Sequence, residues 1–229
     1  MTTTPSMRRD ALFAAAPYAV WMALMLTLPA SAAGYAVRTC ASAVALAVAW
    51  FALSRSSARN PGPRLSGVAC AAWGVLAGIV VAVLWIAPEY SGFYRDWCVI
   101  GDVPSPSDPQ TSPYNPAECG WALTWARLVG SAFVIAPAEE LFFRSFLYRR
   151  LQSPEWRDDA LRRFDLSAFL WTTGLFAFEH NRIVAAVAAG AVYGIVYVWR
   201  GIAAAVVAHV VTNLVLALYV IKTGAWAFW

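Results

Sequence analysis

Charged residues are scarce in this sequence of 229 amino acids. Asp, Glu, Lys and Arg make up 13% of it and hydrophobic residues 60%, and the mean hydropathy is +0.57. Soluble domains carry about twice that fraction of charged residues. The composition therefore excludes an ordinary soluble domain and indicates an integral membrane protein.

Lysine is almost absent as well, since Lys222 is the single lysine among seventeen basic residues. The others are all arginines, and most of them lie in the loops between apolar runs. The net charge of +4 therefore forms no continuous basic surface. The sequence therefore predicts no nucleic-acid partner, and the lipid bilayer as the protein's surroundings. It says nothing about oligomeric state.

Seven apolar segments are long enough, or nearly so, to cross a bilayer, which needs about 20 residues. Short connections blur their boundaries, so six or eight spans are alternatives. We expect an all-α, polytopic membrane helical bundle, with N-terminal helices in 1–120 and a helical core in 121–229. The segments lie at 11–30, 35–53, 67–87, 121–148, 165–181, 183–199 and 202–221.

The first apolar segment has two interpretations. Arg8 and Arg9, an apolar run and the letters "ASAA" together resemble a secretory signal peptide. We favour an uncleaved first helix, because the run from Ala11 to Ala30 is long enough to span and further spans follow it.

Arginines and acidic residues alternate between the loops. Arginines flank spans one, two, four and six, whereas loop 88–120 after span three carries one arginine among several acidic residues. The excess of positive charge on cytoplasmic loops predicts a cytoplasmic N-terminus and an outer loop 88–120. We expect a multi-pass protein of the bacterial inner membrane. The arginines include Arg8, Arg9, Arg55, Arg59, Arg64, Arg149, Arg150 and Arg200; the acidic residues are Glu89, Asp96, Asp102, Asp108 and Glu118.

Two loops have features of their own. Cys98 and Cys119 lie in the outer loop, where a disulfide is chemically permitted, and two free thiols are the alternative. Between spans four and five, "SPEWRDDALRRF" alternates charged and apolar positions, which predicts a short amphipathic helix on the cytoplasmic surface. In span six, "GAVYG" predicts close helix packing through Gly190 and Gly194.

Ionisable residues inside the apolar spans are costly and therefore point to function. Glu140 and Arg144 are four residues apart on span four, so they share a helix face and can pair. Glu139 lies about 100° around the helix, so we expect it to point elsewhere and to lack a local counter-ion. Pro137, two residues before Glu139, predicts a kink in the helix at that point.

The chain has two histidines, and both lie in or beside apolar spans. Phe176 precedes His180 by four residues, so its ring can orient the imidazole, and His209 shares a helix face with Asn213. Glu179, beside His180, is interpreted as an interfacial charge.

A free carboxylate, two imidazoles and an amide on three helices suggest hydrolysis. Glu139, helped by a histidine, would take a proton from water, and a histidine with Asn213 would donate hydrogen bonds to the oxyanion. Zinc held by Glu139, His180 and His209 is the alternative. We favour a site without a metal or other cofactor, because the sequence has no HExxH motif and each ligand would come from a different helix.

Three ordered motifs carry a resemblance to a known family. "EELFFR", "FAFEH" and "HVVTN" fit EExxxR, FxxxH and HxxxN, and the region from about Val129 to Trp229 resembles the CPBP family of intramembrane proteases, which includes the prenyl-protein endopeptidases acting on CAAX termini. The resemblance implies a helical bundle with a water-filled catalytic cavity. It implies Glu139 as the water-activating base, Glu140 with Arg144 as its bracing pair, His180 as the partner of the base, and His209 with Asn213 on the oxyanion side.

The expected substrate is a membrane-embedded or lipid-anchored protein. The tail "LALYVIKTGAWAFW" resembles the subset of the family found with bacterial exosortase-type systems, which would argue against a prenylated substrate. Two other functions remain: a small proton-coupled carrier that uses the same groups as a relay, and a non-catalytic membrane scaffold or immunity factor.

Overall fold

The computed structural model describes residues 5–56, 67–101, 103–108 and 111–229. Arg59, Arg64 and Asp102, on which the predicted orientation partly rests, lie outside the described residues. Every regular element of the described chain is a helix, as expected for an all-α protein. The cytoplasmic N-terminus stays a prediction.

Eight helices account for most of the described chain. Six of them are long and apolar enough to cross a membrane, whereas α4 and α6 are shorter. The bundle therefore falls within the predicted six to eight spans, although the span predicted at 165–181 is a helix of 13 residues. The helices are α1 (Pro5–Thr27), α2 (Ala32–Ser56), α3 (Gly67–Ile86), α4 (Gly92–Cys98), α5 (Pro116–Gln152), α6 (Leu166–Phe178), α7 (Ile183–Arg200) and α8 (Ile202–Thr223).

Helices α3 and α8 pack closely because small residues face each other. A Cβ atom at Gly78 would lie 2.5 Å from the carbonyl oxygen of Ala208. The hydroxyl of Thr212 donates a hydrogen bond of 3.0 Å to the carbonyl oxygen of Gly78. Close contact between small residues is a common way for helices to associate in membranes, and here it fixes the part of α8 that carries His209.

The predicted packing face on α7 is confirmed. Gly190 and Gly194 are buried against α6, and added Cβ atoms would lie 3.1 Å from Phe176 and 2.9 Å from Phe169. This close approach sets the distance between α7 and the helix that precedes His180.

Helix α5 is long and irregular. Gly120, with a φ of +78°, breaks the helical geometry near its start. Two π-helical segments, Ser131–Ile135 and Leu141–Leu147, flank the α-helical turn Ala136–Glu140. Pro137 has no N–H to donate, and the disturbance predicted there takes the form of π turns, which are frequent at functional sites.

The segment predicted as an amphipathic helix is mostly irregular, so that prediction is wrong. Its only regular part is the 3₁₀ turn Asp159–Arg162. Trp156 is 4% exposed and packs edge-on against Phe146, while Arg157 pairs with Asp10 at 3.0 Å. The apolar residues thus anchor the segment individually to the bundle, and no continuous apolar face is needed.

The alternative of free thiols holds for the outer loop. Cys98 and Cys119 are both unbridged. The described part of the loop contains α4 and the start of α5. Its attachment to the bundle comes from a buried carboxylate, Glu89, as described below.

Candidate active site

Glu140 and Arg144 form the ion pair that their spacing predicted. Arg144 Nη1 lies 3.3 Å from Glu140 Oε1, and both side chains are almost fully buried. Arg144 also donates from Nη2 to the carbonyl oxygen of Gly190 at 3.1 Å, and its guanidinium lies 4.7 Å from the ring centroid of Phe176. The pair therefore ties α5 to α6 and α7.

His209 lies between the two glutamates. Its Nδ1 is 3.0 Å from Glu140 Oε1, and its Nε2 is 3.7 Å from Glu139 Oε2. The expectation that the two carboxylates point to different places is therefore wrong: they approach the same imidazole from opposite sides. The ring also stacks on Tyr193 with centroids 4.6 Å apart, so its plane is fixed.

His180 follows the C-terminal end of α6. Its Nδ1 lies 2.9 Å from the carbonyl oxygen of Phe176, and the two rings are 5.0 Å apart, as the four-residue spacing predicted. Trp85 of α3 approaches the imidazole from another side, at 5.4 Å. A full-length fifth span would have carried this histidine away from Glu139, whereas the short helix α6 leaves it beside the site.

Asn213 lies one turn after His209 on α8. Its Nδ2 donates a hydrogen bond of 2.9 Å to the carbonyl oxygen of Ser131, in the first π segment of α5. This bond uses one of the two amide hydrogens. The other hydrogen and the amide oxygen remain available to a ligand.

These side chains meet at a cavity of about 670 Å³. Glu139, His180, His209 and Asn213 line it together with Phe176. Glu140 and Arg144 lie behind the wall and reach the cavity through His209 and Phe176. The volume is typical of a site for a small molecule or a short stretch of peptide.

One cavity residue was misread from the sequence, and the residue that hydrogen-bonds to it was missed. Glu179, interpreted above as an interfacial charge, lines the cavity and accepts a hydrogen bond from the hydroxyl of Tyr18 on α1. Its position next to His180 was the one available signal. Tyr18 gave none, because it lies in the first apolar run, far from every motif.

The turn that carries His180 is held by the outer loop. Asn181 exchanges hydrogen bonds with Ile100, and one of them is a backbone bond of 2.7 Å to the Asn181 carbonyl oxygen. Arg182 pairs with the buried carboxylate of Glu89 at 3.2 Å, and Arg95 reaches Glu89 at 2.5 Å. No sequence motif pointed to Glu89, because Arg182 is 93 residues away in the chain and Arg95 lies on a separate helix, α4.

The donors do not fit the zinc site considered as an alternative. In the described part of the chain, no three His, Cys, Asp or Glu side chains converge so that they could hold a metal ion. Each histidine could offer a metal only its Nε2 atom, because Nδ1 lies at the carbonyl oxygen of Phe176 in one and at Glu140 in the other. We therefore derive no catalytic step through zinc.

A comparison with protein families gives one match. Residues 121–215 match the family described as type II CAAX prenyl endopeptidase Rce1-like. This region belongs to the CAAX protease family. It contains all three motifs, and the family implies a membrane-embedded endopeptidase. Comparison with curated proteins and with solved structures gives no match.

The boundaries of the match bear on two expectations. It begins at residue 121 and ends at residue 215, before the tail on which the resemblance to exosortase-associated members rests. That finer assignment is therefore not supported. Tyr18, Trp85 and Glu89 also lie outside the matched region, although each contributes to the cavity or its frame.

Proposed function

We propose that this chain is a glutamic intramembrane endopeptidase in which Glu139 activates water. The observation that carries the proposal is a buried carboxylate on the wall of the cavity, with two imidazoles and an amide lining the same cavity. Within the described residues Glu139 pairs with no arginine, whereas Glu140 is committed to Arg144 and His209. Of the two adjacent carboxylates, Glu139 is thus the one free to exchange a proton.

In the proposed reaction, Glu139 takes a proton from a water molecule as the water oxygen attacks the carbonyl carbon of the peptide bond. The carbonyl oxygen becomes an oxyanion in the tetrahedral intermediate. When the intermediate collapses, the carbon–nitrogen bond breaks, and the proton held by Glu139 passes to the leaving amine. The products are a carboxylic acid and an amine, between which the acid proton is then exchanged, so no other reactant is needed.

The partners of the two histidines suggest different roles for them. A backbone carbonyl only accepts, so His180 carries its hydrogen on Nδ1, and its Nε2 is free to accept one from water. The carboxylate of Glu140 accepts a hydrogen bond, so His209 also carries a hydrogen on Nδ1. The same carboxylate stabilises the positive charge of the ring when Nε2 carries a second proton, and Nε2 can then donate a hydrogen bond to the oxyanion. We therefore assign His180 to the water side and His209 to the oxyanion side.

Asn213 is assigned to the oxyanion side as well. One of its amide hydrogens is held by Ser131, which fixes the amide plane, and the second can point into the cavity. A donor placed in advance for the developing charge is typically worth about 10²–10³ in kcat. Removing the side chain is expected to lower kcat by that amount.

The substrate proposed is a membrane-embedded or lipid-anchored protein, cleaved by a multi-pass enzyme of the bacterial inner membrane. The apolar helices that surround the site support access from the bilayer. A substrate of the exosortase type stays a prediction from the tail sequence.

The test uses purified protein in detergent and a panel of membrane-anchored peptides. Wild type and Glu139→Ala are compared with and without a chelator, and Glu155→Ala, an exposed carboxylate, serves as the control. Cleavage that is lost in Glu139→Ala, retained in Glu155→Ala and indifferent to the chelator would support the proposal. Equal cleavage by wild type and Glu139→Ala would contradict the role of Glu139, and loss with the chelator would indicate a metal enzyme.

A further inference from the structure

Arg127 is a cation on the cavity wall that pairs with no carboxylate among the described residues. Its guanidinium lies 4.2 Å from the ring centroid of Tyr35, 5.0 Å from that of Tyr114 and 5.8 Å from that of Trp229. Its Nε is buried without a hydrogen-bond partner, and it forms no ion pair with a carboxylate of the described chain. Aromatic faces attract a cation but do not neutralise it.

The second arginine of the cavity wall provides a contrast. Arg182 donates to the carbonyl oxygen of Ala227 and pairs with Glu89, a carboxylate that it shares with Arg95, so it has an anionic partner. Arg38, which contacts the same Tyr35 ring at 5.4 Å, adds a further positive charge near Arg127. An unmatched cation in an apolar bundle is costly, so this end of the cavity is suited to an anionic ligand.

Arg127 also lies on the same helix face as the proposed base. Arg127, Ser131, Ile135 and Glu139 follow each other at intervals of four on α5, and all four line the cavity. At helical rise the Cα atoms of Arg127 and Glu139 are at most about 18 Å apart. An extended chain covers that distance in about five residues.

We propose that Arg127 binds the C-terminal carboxylate of the peptide substrate, so that cleavage occurs within about five residues of that end. The inference rests on the proposed function, since it assumes that the cavity holds a peptide. A carboxylate is favoured because a guanidinium binds it with charge-assisted, bidentate hydrogen bonds. The aromatic rings of Tyr35 and Trp229 would accompany the last side chains of the substrate.

The test compares two forms of one probe, a library of N-palmitoylated peptides made with a free C-terminal carboxylate or with a C-terminal amide. Cleavage is followed by mass spectrometry for wild type, Arg127→Gln, Arg127→Lys and the control Arg150→Gln, which changes an exposed arginine. Wild type should favour the acid over the amide by about tenfold to a hundredfold in kcat/KM. Arg127→Gln should lose this preference, Arg127→Lys should keep part of it, and Arg150→Gln should keep it all.

The amide peptides show whether Arg127→Gln has an intact site, because their cleavage does not depend on the carboxylate. If wild type cleaves acid and amide equally, or if Arg127→Gln lowers both by the same factor, the proposal is overturned. A phospholipid head group is the other anion that Arg127 could bind, and native mass spectrometry of the same proteins detects bound phospholipid. Phospholipid that is bound only when Arg127 is present, together with equal cleavage of acid and amide peptides, would assign the site to a lipid head group and overturn the proposal.

A binding measurement separates this inference from the proposed function. Retention of the peptide pairs is measured on Glu139→Gln and on the double variant with Arg127→Gln. Suppose that peptides with a free C-terminal carboxylate are retained only when Arg127 is present, and that wild type cleaves none of them. This result would uphold the carboxylate site and reject the peptidase. Cleavage by wild type without any effect of Arg127 on retention would uphold the peptidase and reject the carboxylate site. If neither the acid nor the amide peptides are retained, the carboxylate site is also overturned.

Discussion

The two histidines of the site are held in different ways. His209 lies within helix α8, is 5% exposed, and has a glutamate at each ring nitrogen. His180 lies in the turn after α6, more exposed, with its Nδ1 on a backbone carbonyl. One imidazole is therefore fixed by charged side chains of the bundle, and the other by a helix end.

Because of this difference, the positions of the two histidines depend on different parts of the protein. A residue inside a packed helix needs only its helix and its immediate partners to stay in position. A residue in a turn depends on whatever anchors the turn, here Ile100 and Glu89 of the outer loop. The loop that lies outside the family match thus belongs functionally to the site.

The largest effects are expected when each histidine is removed. His180→Ala and His209→Ala should each lower kcat by about 10²–10⁴, the usual contribution of an acid–base group. They should differ in stability: His209→Ala removes a buried hydrogen bond from Glu140 and should cost about 1–3 kcal/mol. Thermal unfolding in detergent measures this. Equal stability losses in the two variants would contradict the comparison.

Glu89→Gln tests whether the outer loop supports His180. The change leaves Arg95 and Arg182 without the carboxylate that both contact, and breaking a buried pair in this way costs about 3–5 kcal/mol. Lower stability and a lower kcat are expected, whereas Asp96→Asn, an exposed residue of the same loop, should change neither. An active and stable Glu89→Gln enzyme would show that the turn holds itself.

Tyr18→Phe examines a contact between α1 and the turn. The variant keeps the ring that stacks on Phe142 at 4.6 Å and loses the hydrogen bond to Glu179. Hydrogen bonds to charged groups contribute about 1.5–3 kcal/mol, so the unfolding temperature should fall accordingly. Tyr114→Phe is the control, because that hydroxyl has no hydrogen-bond partner in the described chain. Similar behaviour of the two variants would remove Tyr18 from the site.

Gly190→Ala should have the smallest effect on stability and kcat. It should displace Phe176 and, through that ring, both histidines. Its Cβ would lie 3.1 Å from Phe176, whose ring is 5.0 Å from His180 and 5.8 Å from His209. Overpacking of this kind costs about 1 kcal/mol or more, with a modest loss of kcat. Gly174→Ala has open space around its Cβ and should instead be neutral or slightly stabilising. A neutral Gly190→Ala would mean that Phe176 moves without consequence.

Contacts between residues four apart in the chain were predicted correctly from the sequence. The Glu140–Arg144 pair and the contact between Phe176 and His180 follow from a spacing of four residues. The approach of Glu139 to His209 was not predicted, because it depends on how α5 and α8 pack and on the π turns around Glu139. Angular reasoning on an ideal helix could not anticipate that geometry.

The sequence by itself determined the helical membrane fold and the three motifs of the catalytic core, since apolar content and spacing within a helix are local properties. Only the tertiary structure decided that Glu179 lines the cavity, that Glu89 anchors the turn of His180 and that Arg127 pairs with no carboxylate of the described chain. Each of these depends on partners up to 161 residues away in the chain, and such pairings are set by packing, which no local pattern records.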